Sequence, residues 1–173
     1  MRHEEVNKLI KRGLDQAKVT STLEPIGLSR DGDGKRPDGL TLPTWSEGKS
    51  LIWDFTCADP LCDSYVKESS KQACSAAEER ENKKVEKYVS LSDNYHFVPV
   101  GAETYGAFGP QGLKLLKKIG SKICETTGEK RSTVFLLQSI AMAIQRGNAA
   151  CVLGTAPAFN GLNGIFDFVT HDF

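Results

Sequence analysis

Apolar side chains recur at Val6, Leu9, Ile10, Leu14 and Ala17, the spacing of one helix face. Residues 2–17 are therefore expected to open the chain as an amphipathic helix. Residues 19–28 mix β-branched side chains around Glu24-Pro25, which suits a short strand near a sheet edge. Asp31-Gly32-Asp33-Gly34 marks 29–35 as a turn. Alternation resumes over 36–42, and Pro43 is expected to close that strand. Glu47-Gly48 supplies a second turn, and Leu51, Ile52, Trp53 and Phe55 make 49–56 a buried strand. Together 36–56 read as a β-hairpin.

From 63 to about 89 the chain is helical in spacing and dense in Ala, Glu and Lys, with Glu79 and Lys83 a favourable i,i+4 pair. Residues 95–103, carrying Phe97, Val98 and Val100, form the next expected strand, and 106–112 a Gly/Pro loop. A helix over 111–125 shows Leu113, Leu116, Ile119 and Ile123 on one side and stops at Gly128. Residues 134–146 make a last helix, so apolar that it is expected to pack across the sheet. The order α-β-β-β-α-β-α-α describes one mixed α/β domain over residues 1–155, with 156–173 an unassigned tail.

The 173 residues fit one domain, large enough to bury roughly 70% of the unfolded surface. Hydrophobic residues at 39% and charged residues at 25% exclude collagen-like and low-complexity chains. Basic and acidic residues number 22 each, so bulk charge does not announce a nucleic-acid partner and leaves room only for a local basic patch. The start Met1-Arg2-His3-Glu4-Glu5 is too charged for a secretory signal, and the longest apolar run, 134–144, falls short of the ~20 residues of a membrane span. A soluble, intracellular protein with no membrane partner is expected. The five cysteines are an odd set without framework spacing, so free thiols are expected. Cys57 and Cys62 are spaced as zinc ligands can be, yet no compact Cys or His pair follows, and no zinc site is expected.

Three carboxylates, Glu24, Asp38 and Asp54, fall at or near expected strand ends. Adjacent strands lie ~4.8 Å apart, so Asp38 and Asp54 can converge across the hairpin if register and face agree. Asp54 sits among Leu51, Ile52, Trp53 and Phe55, where an unpaired carboxylate is costly. A divalent cation would offset the burial of several carboxylates, and oxygen ligands favour Mg²⁺ or Mn²⁺. Spacing alone equally allows Asp54 to cap a turn or pair with Lys49, and Asp38 to be part of a Pro-Asp-Gly turn. Lys84, Lys87 and Tyr88 share one helix face, where a lysine would stabilise charge on a phosphate or simply meet water. Lys114, Lys117, Lys118 and Lys122 form a second cationic stripe, suited to a phosphate backbone or to solvent. The sequence has no Gly-rich phosphate loop and no local Ser-His or Cys-His signature.

Taken in order, several segments resemble a known family. They are Arg2-His3, Leu23-Glu24-Pro25-Ile26-Gly27-Leu28, Asp33-Gly34-Lys35-Arg36-Pro37-Asp38-Gly39 and Leu51-Ile52-Trp53-Asp54-Phe55-Thr56. Lys84-x-x-Lys87-Tyr88, Phe97-Val98-Pro99-Val100 and Glu103-Thr104-Tyr105-Gly106 follow. Together they resemble the restriction-like endonuclease domain of non-LTR-type retroelement reverse transcriptase proteins, a branch of the PD-(D/E)XK superfamily. The resemblance covers residues 2 to about 106, and the helices to about 153 also look similar.

That resemblance implies a restriction-endonuclease-like mixed sheet flanked by helices. It implies a Mg²⁺- or Mn²⁺-dependent endonuclease that nicks target DNA for reverse transcription. Asp38 matches the Asp of the Pro-Asp motif, Asp54 the acid of the (D/E)-x-K strand, and Glu24 an additional upstream acid. Glu24, Asp38 and Asp54 would hold the metal. Thr56 stands where the superfamily has lysine, which passes that role to Lys84 or Lys87, with Lys84 preferred. Lys35, Arg36, Lys114, Lys117 and Lys118 would contact DNA. Relatives carry this domain behind a reverse transcriptase and a zinc knuckle, neither of which is in this chain. The resemblance therefore allows a fragment, a degraded element copy or a domesticated stand-alone domain, with a reverse transcriptase region absent from this chain as a partner beside DNA. A DNA substrate implies the nucleus. The alternative is a catalytically inactive nucleic-acid-binding remnant or domesticated module on the same fold.

Overall fold

A computed structural model describes residues 2–28, 34 and 36–155. It opens with helix α1 (Arg2–Gln16), then strands β1 (Ser21–Leu23), β2 (Gly39–Ser46) and β3 (Lys49–Ala58). A short helix α2 (Val66–Ser69), helix α3 (Ser75–Lys87) and a 3₁₀ turn (Val89–Leu91) lead to β4 (Tyr95–Glu103). Helices α4 (Pro110–Thr127) and α5 (Ser132–Thr155) complete it. The four strands form one sheet in the order β1-β2-β3-β4, antiparallel at the first two junctions and parallel between β3 and β4. The parallel pair needs a crossover, which α3 provides. This is a mixed α/β fold with a mixed sheet flanked by helices. Among the described residues no helix is long and apolar enough to cross a membrane.

Alternation along β3 divides the interior in two. Leu51, Trp53 and Phe55 join Val6, Ile10 and Leu14 of α1, the apolar face of α4 and Leu136, Ile140 and Ile144 of α5 in the main core. Asp54, one step out of phase, turns to the opposite face, where α3 lies. Gly39 is required by that core: a Cβ there would stand 2.0 Å from the Trp53 ring. The glycine of Pro37-Asp38-Gly39 thus begins a strand under an indole rather than completing a turn.

Several sequence expectations are corrected. The first strand covers only Ser21–Leu23. The second continues through exposed Pro43 to Ser46, because its register with β3 shifts between Leu40 and Thr44, an irregularity that tolerates a residue without N–H. The helical stretch from 63 is two helices, interrupted before Cys74, whose φ is 68°. The last helix runs to Thr155 and packs on α1 and α4, not across the sheet. Gly147 lets it lie against α1, since a Cβ there would meet Arg2 Cβ at 2.5 Å. The expected turn at 29–35 (apart from Gly34) and the tail 156–173 lie outside the described residues.

Helix α4 begins at Gly109-Pro110 with no side-chain cap of its own. Glu81 of α3, fully buried, supplies one: its carboxylate accepts N–H groups of Gln111 (2.9 Å), Gly112 (2.7 Å) and, from β4, Gly101 (3.0 Å). The helix N-terminus favours that negative charge. Glu103 of β4 in turn accepts the Ala76 N–H at the start of α3 (3.2 Å). These bonds fix α3 against the sheet, and with it Lys84 and Tyr88, three and seven residues beyond Glu81 on the same side. Replacing Glu81 by Ala strips partners from three backbone donors, two of them buried, and is expected to cost about 3 kcal/mol or more. The check is the urea midpoint at unchanged slope; a loss below about 1 kcal/mol would contradict this anchoring role.

Candidate active site

The three carboxylates come from successive strands. Glu24 follows β1 in a left-handed conformation (φ 47°), and its N–H donates to Asp38 O (2.8 Å). Asp38 precedes β2, and its own N–H donates to Trp53 O (3.0 Å). The backbone ladder therefore carries Glu24, Asp38 and the Trp53-Asp54 step side by side. Their side chains line one cavity of about 480 Å³ together with His3, Arg36, Lys84 and Tyr88.

Asp54 is 3% exposed. The Lys84 ammonium pairs directly with its Oδ2. The Tyr88 hydroxyl lies 3.4 Å from Asp54 Oδ1 and 3.1 Å from Arg36 O, while its ring stacks on Phe97. Burial first, and the Asp38 charge second, raise the Asp54 pKa above the ordinary carboxylate range, against the lowering pull of Lys84. Asp38 Oδ2 accepts the Phe55 N–H at 2.6 Å and lies 3.1 Å from His3 Nε2. The bond to Asp38 raises the His3 pKa, with burial opposing it.

Lys87 is exposed and does not line the cavity, so the structure brings Lys84 and not Lys87 to the carboxylates. Lys49 donates to Ser92 O (2.8 Å), which removes it as a partner for Asp54. Glu24 keeps an outlying position: its Oε2 is 3.7 Å from the Arg36 guanidinium, and its side chain is mostly exposed. Lys114, Lys117 and Lys118 are not gathered here. They lie on α4, and Lys118 stands 4.9 Å from the Trp45 ring, seven residues along β2 from Asp38 and roughly 23 Å away at strand rise. Lys35 lies outside the described residues. The five cysteines are free thiols.

Sequence reasoning did not assign roles to His3, Asn7 or Tyr88's hydroxyl. His3 and Asn7 stand four residues apart on α1, and the pair is linked by Asn7 Nδ2 and His3 Nδ1 at 3.3 Å. Buried Asn7 also accepts the Trp53 indole N–H (3.1 Å). Asn7 is marked in the sequence as a polar side chain on the apolar stripe of α1, and His3 by the Arg2-His3 of the resemblance, though neither signal gave it a role.

Among the described residues no three His, Cys, Asp or Glu side chains are gathered into a ready metal cluster. Mg²⁺ needs fewer, since it commonly takes one or two carboxylates and completes its shell with water and phosphate oxygens. Asp38 and Asp54, lining one cavity and close enough for one to raise the other's pKa, fit such a two-carboxylate site. No protein-family model matches this chain, and no curated protein matches it.

The raised Asp54 pKa has a stability consequence. The penalty is absent below the ordinary carboxylate pKa of about 4 and develops as pH rises through the raised value, where the folded state must hold an ionised, buried carboxylate. Asp54→Asn is expected to melt a few degrees above the unsubstituted protein at neutral pH, with the gap closing toward pH ~4. Thermal melts across that range check it. A variant that melts lower at neutral pH would show that the Lys84 pair outweighs the burial penalty.

Proposed function

We propose that this chain is a metal-dependent DNA endonuclease domain of the restriction-endonuclease-like kind and of retroelement origin, nicking target DNA to prime reverse transcription. The observation that carries the reading is the convergence of Glu24, Asp38, Asp54 and Lys84 on one cavity, in the order of strands that the sequence resemblance implies. The mixed four-stranded sheet with α3 crossing between its parallel strands supports the fold assignment. Lys84 supports the reading of Thr56: a lysine from the next helix reaches the carboxylate that the strand's own third position leaves without one.

Asp38 and Asp54 would hold Mg²⁺ or Mn²⁺, with Glu24 at the rim. When bound, the cation supplies Lewis-acid stabilisation of a phosphate in attack by water. Lys84 then has two roles. It neutralises Asp54 before loading, and its ammonium, one contact from the carboxylate, is at hand for charge developing on the phosphate. Tyr88 orients Asp54 through Oδ1. Arg36, on the cavity wall, suits a phosphate of the bound strand. Binding would rest on backbone phosphates, with Lys35, Lys114, Lys117 and Lys118 as outer contacts, and the partners would be nuclear DNA and a reverse transcriptase.

One feature favours a second reading, a nucleic-acid-binding module that does not cleave: Lys84 already balances the most buried carboxylate. Nicking of supercoiled plasmid in Mg²⁺ and Mn²⁺ separates the two. The nuclease reading predicts metal-dependent nicking, lost roughly a hundredfold or more in Asp54→Ala and Lys84→Ala and retained in Lys87→Ala. Salt-sensitive DNA binding without nicking in either metal would support the silent module. Full activity in Asp54→Ala would refute the site.

A further inference from the structure

The hydrogen bonds around His3 run in one direction, and that direction is set by the group that can only donate. The Trp53 indole N–H has no acceptor capacity, so the Asn7 amide atom 3.1 Å away is the oxygen. The other end of that amide is then the NH₂ group, 3.3 Å from His3 Nδ1. Nδ1 must accept. A neutral imidazole carries one proton, so it resides on Nε2, the nitrogen 3.1 Å from Asp38 Oδ2 and 3.2 Å from Phe55 O. Both of those atoms are acceptors. Trp53 is fully buried and Asn7 is 4% exposed, so bulk water does not compete for either end of the amide.

We propose that His3 is a positioning residue for Asp38, locked as its Nε2–H tautomer by Trp53 and Asn7, and that it does not act as a proton acceptor for the nucleophile. Its functional consequence rests on the nuclease reading; the tautomer does not. The His3 Nε2–H and the Phe55 N–H both end on Asp38 Oδ2. Two donors on one oxygen fix the rotation of the carboxylate and leave Oδ1 without a hydrogen bond to a described residue. A general base needs a bare nitrogen facing the reacting water. In His3 one nitrogen carries the proton and the other is covered by Asn7.

Long-range ¹H–¹⁵N spectra of the full chain, taken at rising pH until the His3 ring signals stop moving and the ring is neutral, test the lock directly. His3 is expected to show a protonated Nε2 and a bare Nδ1, with its signals assigned by their loss in His3→Gln. Asn7→Asp, whose carboxylate accepts from both Trp53 and His3, should move a proton onto Nδ1. A proton on Nδ1 in the unsubstituted protein overturns the proposal without need of any variant, as does a spectrum unaltered in folded Asn7→Asp. In nicking assays His3→Ala should lose roughly tenfold in kcat with KM for plasmid little changed, the loss expected for one bond to a charged group. His3→Gln, whose side-chain amide can donate to Asp38, should recover most of that loss. Equal losses in Ala and Gln would mean the ring serves as a base and would overturn the positioning role. If the unsubstituted protein does not nick at all, the nuclease reading fails, and the spectrum alone upholds or overturns the lock.

Discussion

Asp54 and Lys84 meet at the middle of the sheet, on a face closed by α3, and much of the structure serves to hold that pair. A carboxylate so nearly buried is costly unless a charge or several donors compensate. Here the compensation is partial. One oxygen has the ammonium, the other a tyrosine hydroxyl shared with Arg36 O, and Asp38 adds a like charge nearby. A structural ion pair would not need a second acid beside it. The second acid suits the proposed cation site, and a buried carboxylate with a raised pKa is the kind of cost found where function and folding conflict.

The anchoring of α3 links fold to site. Glu81 spends a buried carboxylate on the start of α4 and on β4, and Glu103 returns the favour at the start of α3. With its start and its middle both bonded to β4, the helix is seated so that Lys84 and Tyr88 face Asp54. On the opposite side of the sheet, α1 does the corresponding work for Asp38 through His3 and Asn7. The two carboxylates are thus held from different layers, each by a helix whose main business is packing.

Much of this was legible in the sequence. Apolar runs, Leu51 to Phe55 and Phe97 to Val100, placed β3 and the bounds of β4, because both strands carry dense apolar side chains. The three acids were visible at or near expected strand ends, Asp54 within an apolar run that does not welcome a carboxylate. What escaped was set by tertiary contacts. Pro43 did not end β2, since a register irregularity absorbs it. The apolar surface of α5 meets two helices and not the sheet, and periodicity does not say which neighbour an apolar face will find. Lys84 and Lys87 share a face on a helical wheel, and only the seating of α3 turns one inward and leaves the other in water. His3 reads as one more polar residue of a first turn until the hairpin brings Asp38 and Phe55 to it.

In the proposed function Asp38 and Asp54 form a cation site from which Lys84 can be displaced. Crystals grown with Mn²⁺ and measured near its absorption edge test this most directly. An anomalous peak is expected between the two carboxylates, with the Lys84 ammonium moved off Asp54 Oδ2. A peak elsewhere, or none while Lys84 remains seated on Asp54, would contradict it.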